Sequence, residues 1–117
     1  MNNPPLVYLA SPYTHSDPEV EEERFREASR AAAWFFKNGY HVYAPIPHTH
    51  PIAVYGDLEG AWGFWQAYDR RMIGLCDMVV VLMLGGWAHS TGVTAEIAIA
   101  EDLHKQVEYM EWPVVVP

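Results

Sequence analysis

Short apolar segments alternate along the chain with longer segments in which apolar positions recur at helical spacing. Residues 6–10, LVYLA, lie between prolines, and residues 40–44, YHVYA, follow a glycine, so both segments predict strands. Residues 78–84, MVVVLML, lack polar alternation and predict a central strand that is covered on both faces. Val107 and residues 114–116 are candidate edge strands.

Three helices are predicted between these strands. Asp17 is a good N-cap and Pro18 suits the first turn, which places the start of a helix that Gly39 ends. A second helix is predicted from about Glu59 to about residue 76, and a third from a Ser90 cap to about residue 104. Residues 45–56, PIPHTHPIAVYG, contain three prolines and predict an irregular loop.

The order of strands and helices predicts an α/β layer fold with a mainly parallel sheet of four to five strands. A length of 117 residues fits a single domain, residues 1–117. In a parallel sheet, the strand-to-helix loops all lie at the carboxyl edge, where ligands bind. We therefore expect three loops, SPYTH, PIPHTH and GGWAHSTG, to converge on one cleft.

Composition narrows the class of protein. Hydrophobic residues make up 50% of the chain, which indicates a folded domain, yet the apolar runs are far shorter than the roughly 20 residues of a membrane span. The first residues lack the basic segment and cleavage site of a secretory signal, so we expect a cytoplasmic protein with no membrane partner. Cys76 is the single cysteine, which excludes an internal disulfide. A net charge of −8 without a basic stripe argues against a nucleic-acid polymer as partner.

Two acidic residues fall on helix faces that are otherwise apolar. On a wheel of about 100° per residue, Glu96 lies between Leu103 and Ala100, inside the apolar arc of its helix. Asp69 lies in the core-facing arc of the preceding helix, together with Trp65 and Ile73. A buried carboxylate is unfavourable unless it is paired or used. The two acids could share a cleft and divide nucleophilic and proton-handling roles, or each could cap a backbone group or pair with a histidine.

Four histidines fall in the three converging loops: His15, His48, His50 and His89. These histidines are compatible with a metal site, with recognition of a base or with a contact to phosphate. No pair of them has the helical spacing of a zinc protease. Ser90 can cap the helix that it opens and can also offer a hydroxyl to an anion. We expect no metal, since the spacing of these histidines is a weak signal.

The segments YLASPY, DRRMIGLCDMVVVLM and STGVTAEIAIA, in this order and spacing, resemble the nucleoside 2-deoxyribosyltransferase superfamily, including its deoxynucleoside 5′-monophosphate N-glycosidase branch. The resemblance implies a flavodoxin-like or Rossmann-like three-layer sandwich. It also implies cleavage or transfer at the N-glycosidic bond of a nucleoside or nucleoside 5′-monophosphate. Glu96 would be the nucleophile, Asp69 would handle a proton or hold the sugar, and Tyr8 would orient Glu96.

The resemblance extends to substrate contacts, for which the candidates besides Tyr8 are Ser11, Tyr13, His48, His50, Ser90 and Gly92. Ser90 and Thr91 stand where the transferases carry acids, which favours a nucleotide hydrolase, whereas the first loop lacks the arginine expected for a phosphate. The resemblance implies no cofactor and an assembly into a homodimer or homotetramer.

Two other classes of function remain open from the sequence. One is a nucleotide-binding or sensing module that kept the cleft but lost turnover. The other is a metal-dependent hydrolase whose site is built from the four loop histidines, with or without Asp69.

Overall fold

The computed structural model of the protein describes residues 3–58 and 62–114. Strands alternate with helices in it, as the sequence predicts. The strands are β1 (Leu6–Ala10), β2 (His41–Tyr43), β3 (Met78–Leu82) and β4 (Gln106–Met110). The helices are α1 (Pro18–Lys37), α2 (Pro45–Gly56), α3 (Trp62–Leu75) and α4 (Thr91–Asp102), and a short 3₁₀ helix spans Trp87–His89.

The strands form one parallel sheet in the order β2–β1–β3–β4. Along β1, Tyr8 and Ala10 pack on the side of α3 and α4, whereas Val7 and Leu9 pack on the side of α1. Both faces of the central strands are therefore buried, which explains why their sequences lack polar alternation. Helices on both faces of a parallel sheet make the three-layer α/β sandwich that was predicted.

The caps of α1 and α4 form as predicted. The Asp17 side chain accepts a hydrogen bond from the backbone N–H of Glu19 at 2.9 Å, and a proline begins the helix. Ser90 accepts a hydrogen bond from the backbone N–H of Val93 at 3.2 Å. The predicted start of the second helix at Glu59 lies outside the described residues.

The prediction of an irregular loop at residues 45–56 is wrong, because this segment is the helix α2. Pro45 is its first residue and Pro47 lies in the same turn, where backbone N–H groups have no partner within a helix, so neither proline removes a hydrogen bond. Pro51, inside the helix, removes one. The Thr49 hydroxyl donates to the Pro45 carbonyl at 2.8 Å.

At the other edge of the sheet, β4 includes Val107, as predicted, whereas Val114 lies outside any strand. Residues 115–117 lie outside the described residues. No helix within residues 3–58 and 62–114 is both long enough and apolar enough to cross a membrane.

The strand order places a crevice at the carboxyl ends of β1 and β3. After β1 the chain passes outward to β2, and it then returns to the other side of β1 to form β3. The helix that follows β1 packs on one face of the sheet and the helix that follows β3 packs on the other. This is the switch point at which open parallel sheets bind ligands.

Candidate active site

A cleft of about 720 Å³ opens at this switch point. Ser11 and Tyr13, in the loop after β1, line one side of it, and Ser90 and Gly92, at the start of α4, line another. Helix α2 supplies a third side, in place of the loop that was expected there. The volume lies within the range of sites for small molecules.

Glu96 from α4 and Asp69 from α3 both line this cleft. Both are buried, with only 5% of Glu96 and 7% of Asp69 exposed. The apolar positions that surround them on each helix turn these faces toward the core, so the carboxyls are carried inward with them. The structure thus brings the two acids together in one cleft, as their positions on the helical wheel indicate.

Burial changes the protonation of this pair. It raises the pKa of Glu96 from 4.5 to about 8; the hydrogen bond from Tyr8 opposes this shift and the nearby Asp69 charge adds to it. Burial also raises the pKa of Asp69 from 3.8 to about 6, again against the effect of the Tyr8 hydroxyl. Two carboxyls with raised pKa values in one cleft are typical of a functional site.

Tyr8 lies in β1 behind the two acids and has no exposed surface. Its hydroxyl donates a hydrogen bond to Oε2 of Glu96. Burial and the two neighbouring carboxyls raise the pKa of Tyr8 well above its ordinary value, so the hydroxyl keeps its proton. Tyr8 is therefore placed to orient Glu96, and it does not itself line the cleft.

A second set of polar side chains, which we name the Tyr13 relay, links Tyr13, His50 and Glu22. The Tyr13 hydroxyl lies 2.5 Å from Nδ1 of His50, and Nε2 of His50 lies 2.8 Å from Oε2 of Glu22. Phe25 stacks on the His50 ring with 4.4 Å between ring centroids, which holds the ring in place. The relay connects α1 and α2 to the loop after β1 at the edge of the cleft.

A sequence-family model described as a domain of unknown function, DUF1937, matches residues 5–112. The chain belongs to the DUF1937 family. That family is in the nucleoside 2-deoxyribosyltransferase-like group, which confirms the resemblance found in the sequence.

The DUF1937 protein is similar to a solved structure of a 2-deoxyribosyltransferase from the psychrotolerant bacterium Bacillus psychrosaccharolyticus. The TM-score is 0.64 and the identity is 20%, and the match covers 96% of this chain and 77% of that chain. At this identity, the likeness establishes a shared fold. No curated protein matches the DUF1937 chain.

Most of the residues that are candidates for substrate contact lie around the cleft at the switch point. Five of them line it directly: Ser11, Tyr13, His50, Ser90 and Gly92. Ser11 is buried, and its hydroxyl has no hydrogen-bond partner among the residues that the structure describes, so it is available to a ligand. His48 does not line the cleft; it is exposed, with its ring 6.1 Å from that of Tyr43.

The loop histidines of the DUF1937 protein do not assemble into a metal site. Across the described ranges, no three His, Cys, Asp or Glu side chains come together in a way that could hold a metal ion. His15 instead accepts a hydrogen bond from the backbone N–H of Asp17 at 2.9 Å, and His50 belongs to the Tyr13 relay. The arrangement of these residues therefore gives no support to a metal-dependent hydrolase.

Several residues of the cleft were not identified from the sequence. Glu21 and Thr49 line it, together with apolar side chains of α2 such as Ala53 and Val54. Thr49, Ala53 and Val54 were missed because an irregular loop, unlike a helix, has no periodic face that predicts which of its side chains line a cleft. Glu21 was missed because an acidic run on a helix usually indicates a solvated face.

Proposed function

We propose that this DUF1937 protein cleaves or transfers at the N-glycosidic bond of a nucleoside, with Glu96 as the nucleophile. The observation that carries the proposal is the buried pair of Glu96 and Asp69 in a cleft at the switch point, with Tyr8 bonded to Glu96. Membership of the DUF1937 family and a fold shared with a 2-deoxyribosyltransferase support the same chemistry.

The reaction proceeds in two steps. In the first, a carboxylate oxygen of Glu96 bonds to C1′ of the sugar as the bond from C1′ to the base nitrogen breaks, and Asp69 gives the departing base a proton. In the second, water attacks C1′, returns a proton to Asp69 and releases the Glu96 carboxylate. A second base in place of water gives transfer. A buried negative charge suits this chemistry because the sugar becomes oxocarbenium-like.

The raised pKa values fit a pair that shares one proton. With values of about 8 and about 6, the pair in the free protein holds one proton at neutral pH. The two titrations belong to the pair and not to either residue alone. Moving the proton to Asp69 leaves the total charge unchanged and creates the Glu96 nucleophile, which the Tyr8 hydroxyl stabilises.

The cleft favours a nucleoside over a 5′-monophosphate. Among the described residues that line it are the carboxyls of Glu21, Asp69 and Glu96, and no lysine or arginine. Arg24, near the loop after β1, directs its guanidinium to the carbonyl oxygens of Thr14 at 3.1 Å and Gly85 at 3.0 Å. A phosphate dianion would therefore meet net repulsion. We propose a nucleoside, although the serine at position 90 favours a nucleotide.

The test is an incubation with a panel of ribonucleosides, 2′-deoxynucleosides and their 5′-monophosphates, with and without a second base, followed by measurement of free base. Glu96→Ala should abolish release, while Glu101→Ala, on the exposed side of the same helix, should release base like wild type. Equal release by wild type and Glu96→Ala would refute the nucleophile. Stoichiometric nucleoside binding with no release over hours would favour the binding module instead.

We also propose that the protein forms a homodimer or homotetramer. Several apolar side chains of α2 and the residues after it are exposed beside the cleft: Ile52, Val54, Tyr55 and Leu58. Tyr55 has 90% of its surface exposed, and exposed apolar side chains that cluster in this way are typical of an interface between proteins. Light scattering coupled to size exclusion measures the mass, and a mass of one chain at micromolar concentration would contradict assembly.

A further inference from the structure

The Tyr13 relay determines which hydrogen-bonding group the protein turns toward the cleft. In a neutral imidazole, one nitrogen donates and the other accepts. The Glu22 carboxylate can only accept, so Nε2 of His50, 2.8 Å away, must carry the hydrogen. Nδ1 is then an acceptor, and the Tyr13 hydroxyl donates its hydrogen to it over 2.5 Å. The hydrogen of Tyr13 is thus used inside the protein, and the lone pairs of its oxygen remain for a ligand.

Glu21 extends this acceptor character along the same side of the cleft. Its carboxyl lines the cleft and is held in place by the backbone N–H of His15 at 3.1 Å. Burial, then the charges of Glu21 and Glu22, raise the pKa of Tyr13, so the tyrosine keeps its proton. This side, which we name the acceptor wall, therefore consists of the Tyr13 oxygen and the Glu21 carboxylate.

The side formed by the start of α4 has the opposite character. Ser90 caps that helix, and Thr91 and Gly92 lie in its first turn, where backbone N–H groups point outward without helical partners. A ligand that spans the cleft would place acceptors toward α4 and donors toward the acceptor wall.

We propose that Tyr13 is a specificity-determining residue that accepts a hydrogen bond from an N–H or O–H group of the substrate, and that His50 and Glu22 are positioning residues that keep it an acceptor. The inference rests on the proposed function for the identity of the ligand as a nucleoside. Two groups of a nucleoside are proposed as the donor: an amino group of the base or the 5′-hydroxyl of the sugar.

Two substrate pairs separate these sources. The first pair is 2′-deoxyadenosine and purine 2′-deoxyriboside, which lacks the amino group of the base. The second pair is 2′-deoxyadenosine and 2′,5′-dideoxyadenosine, which lacks the 5′-hydroxyl of the sugar. Because the bases differ as leaving groups, the quantity to compare is the change in each kcat/KM ratio between wild type and variant. All assays are run at the same pH, pH 8.

Tyr13→Phe should reduce the preference for the donor-bearing substrate by about 3- to 10-fold in one pair, the usual effect of losing one uncharged hydrogen bond. A change in the first pair identifies the base amino group, and a change in the second identifies the sugar hydroxyl. If Tyr13→Phe leaves both ratios within twofold of wild type, the inference is wrong.

His50→Phe keeps a ring to stack on Phe25 but removes the acceptor for Tyr13. The tyrosine O–H is then free to donate into the cleft, so the same preference should fall at least as far as in Tyr13→Phe. Glu22→Gln should weaken the preference, since an amide can present either an acceptor or a donor to His50. Glu23→Gln, an exposed neighbour on α1, is the matched control and should leave both ratios unchanged.

A binding measurement separates this inference from the proposed function. In a Glu96→Gln background, calorimetry gives the dissociation constants of the same nucleosides without turnover. If wild type releases no base but Tyr13→Phe still changes the binding preference, the proposed catalysis fails and the inference stands. If nucleosides bind but Tyr13→Phe does not change their preference, or if none binds, the inference is overturned.

Discussion

Replacing Glu96 by glutamine should stabilise the protein, and the gain should grow with pH. Folding raises the pKa of Glu96 from 4.5 to about 8, so between these values the native state binds more protons than the unfolded state. Its stability therefore falls as the pH rises through this window. At pH 4 the carboxyl is protonated in both states and glutamine has little to gain. Above pH 8 the native wild type carries a buried charge that glutamine lacks.

The size of the effect follows from the same shift. Each pKa unit is worth about 1.4 kcal/mol, so the full shift corresponds to on the order of 5 kcal/mol above pH 8. Rearrangement of Tyr8 and Asp69 around the buried charge of the wild type reduces this free-energy difference. We expect a gain of at least about 2 kcal/mol, which for a chain of this length raises Tm by roughly 5 to 10 °C.

The assay is urea and thermal unfolding of wild type and Glu96→Gln at pH 5, 6.5 and 8. Glu101→Gln, on the exposed side of the same helix, is the control, and its difference from wild type should stay flat across this range. A glutamine variant that is less stable than wild type at every pH, or a difference that does not change with pH, would refute the account of a desolvated Glu96.

Three further predictions concern the same site. Asp69→Asn should fold normally and lower the rate of base release by at least about 100-fold, the usual effect of losing a positioned proton donor; a rate within tenfold of wild type would contradict its role. The pH profile of kcat/KM should be bell-shaped with limbs near 6 and 8, since only the singly protonated pair is active; a rate that still climbs at pH 9 would contradict this. Ser90→Ala should lower the free energy of unfolding by about 1 kcal/mol through loss of the α4 cap, and Ser90→Asp should retain it; urea unfolding measures both, and an unchanged alanine variant would rule out the cap.

The parts of the fold that could be predicted are those in which local pattern and tertiary packing agree. The strand at residues 6–10 was predicted to the residue, because its apolar run is bounded by prolines and lies at the buried centre of the sheet. Helix α2 could not be predicted in this way. Its prolines break helices in most positions, and their placement in the first turn is compatible with a helix only once the start at Pro45 is known.

The same contrast holds for the site. Glu96 and Asp69 could be identified because an acid on an apolar helix face is visible in a single helix. The link between Tyr13 and His50 joins residues 37 positions apart and depends on α2 being a helix, so no local pattern reveals it. Glu22 gives no signal either, since it belongs to a run of glutamates that resembles an ordinary solvated face.

The most direct test of the central claim is to trap the sugar on Glu96. A 2′-deoxy-2′-fluoro nucleoside slows the second step, because fluorine destabilises the oxocarbenium-like state, and the intermediate can then accumulate. We predict release of one base per active chain and a mass increase equal to the bound sugar on the peptide that contains Glu96, with no such adduct in Glu96→Gln. Base release accompanied by a sugar adduct on Asp69, or by none on any residue, would contradict the assignment of Glu96 as the nucleophile.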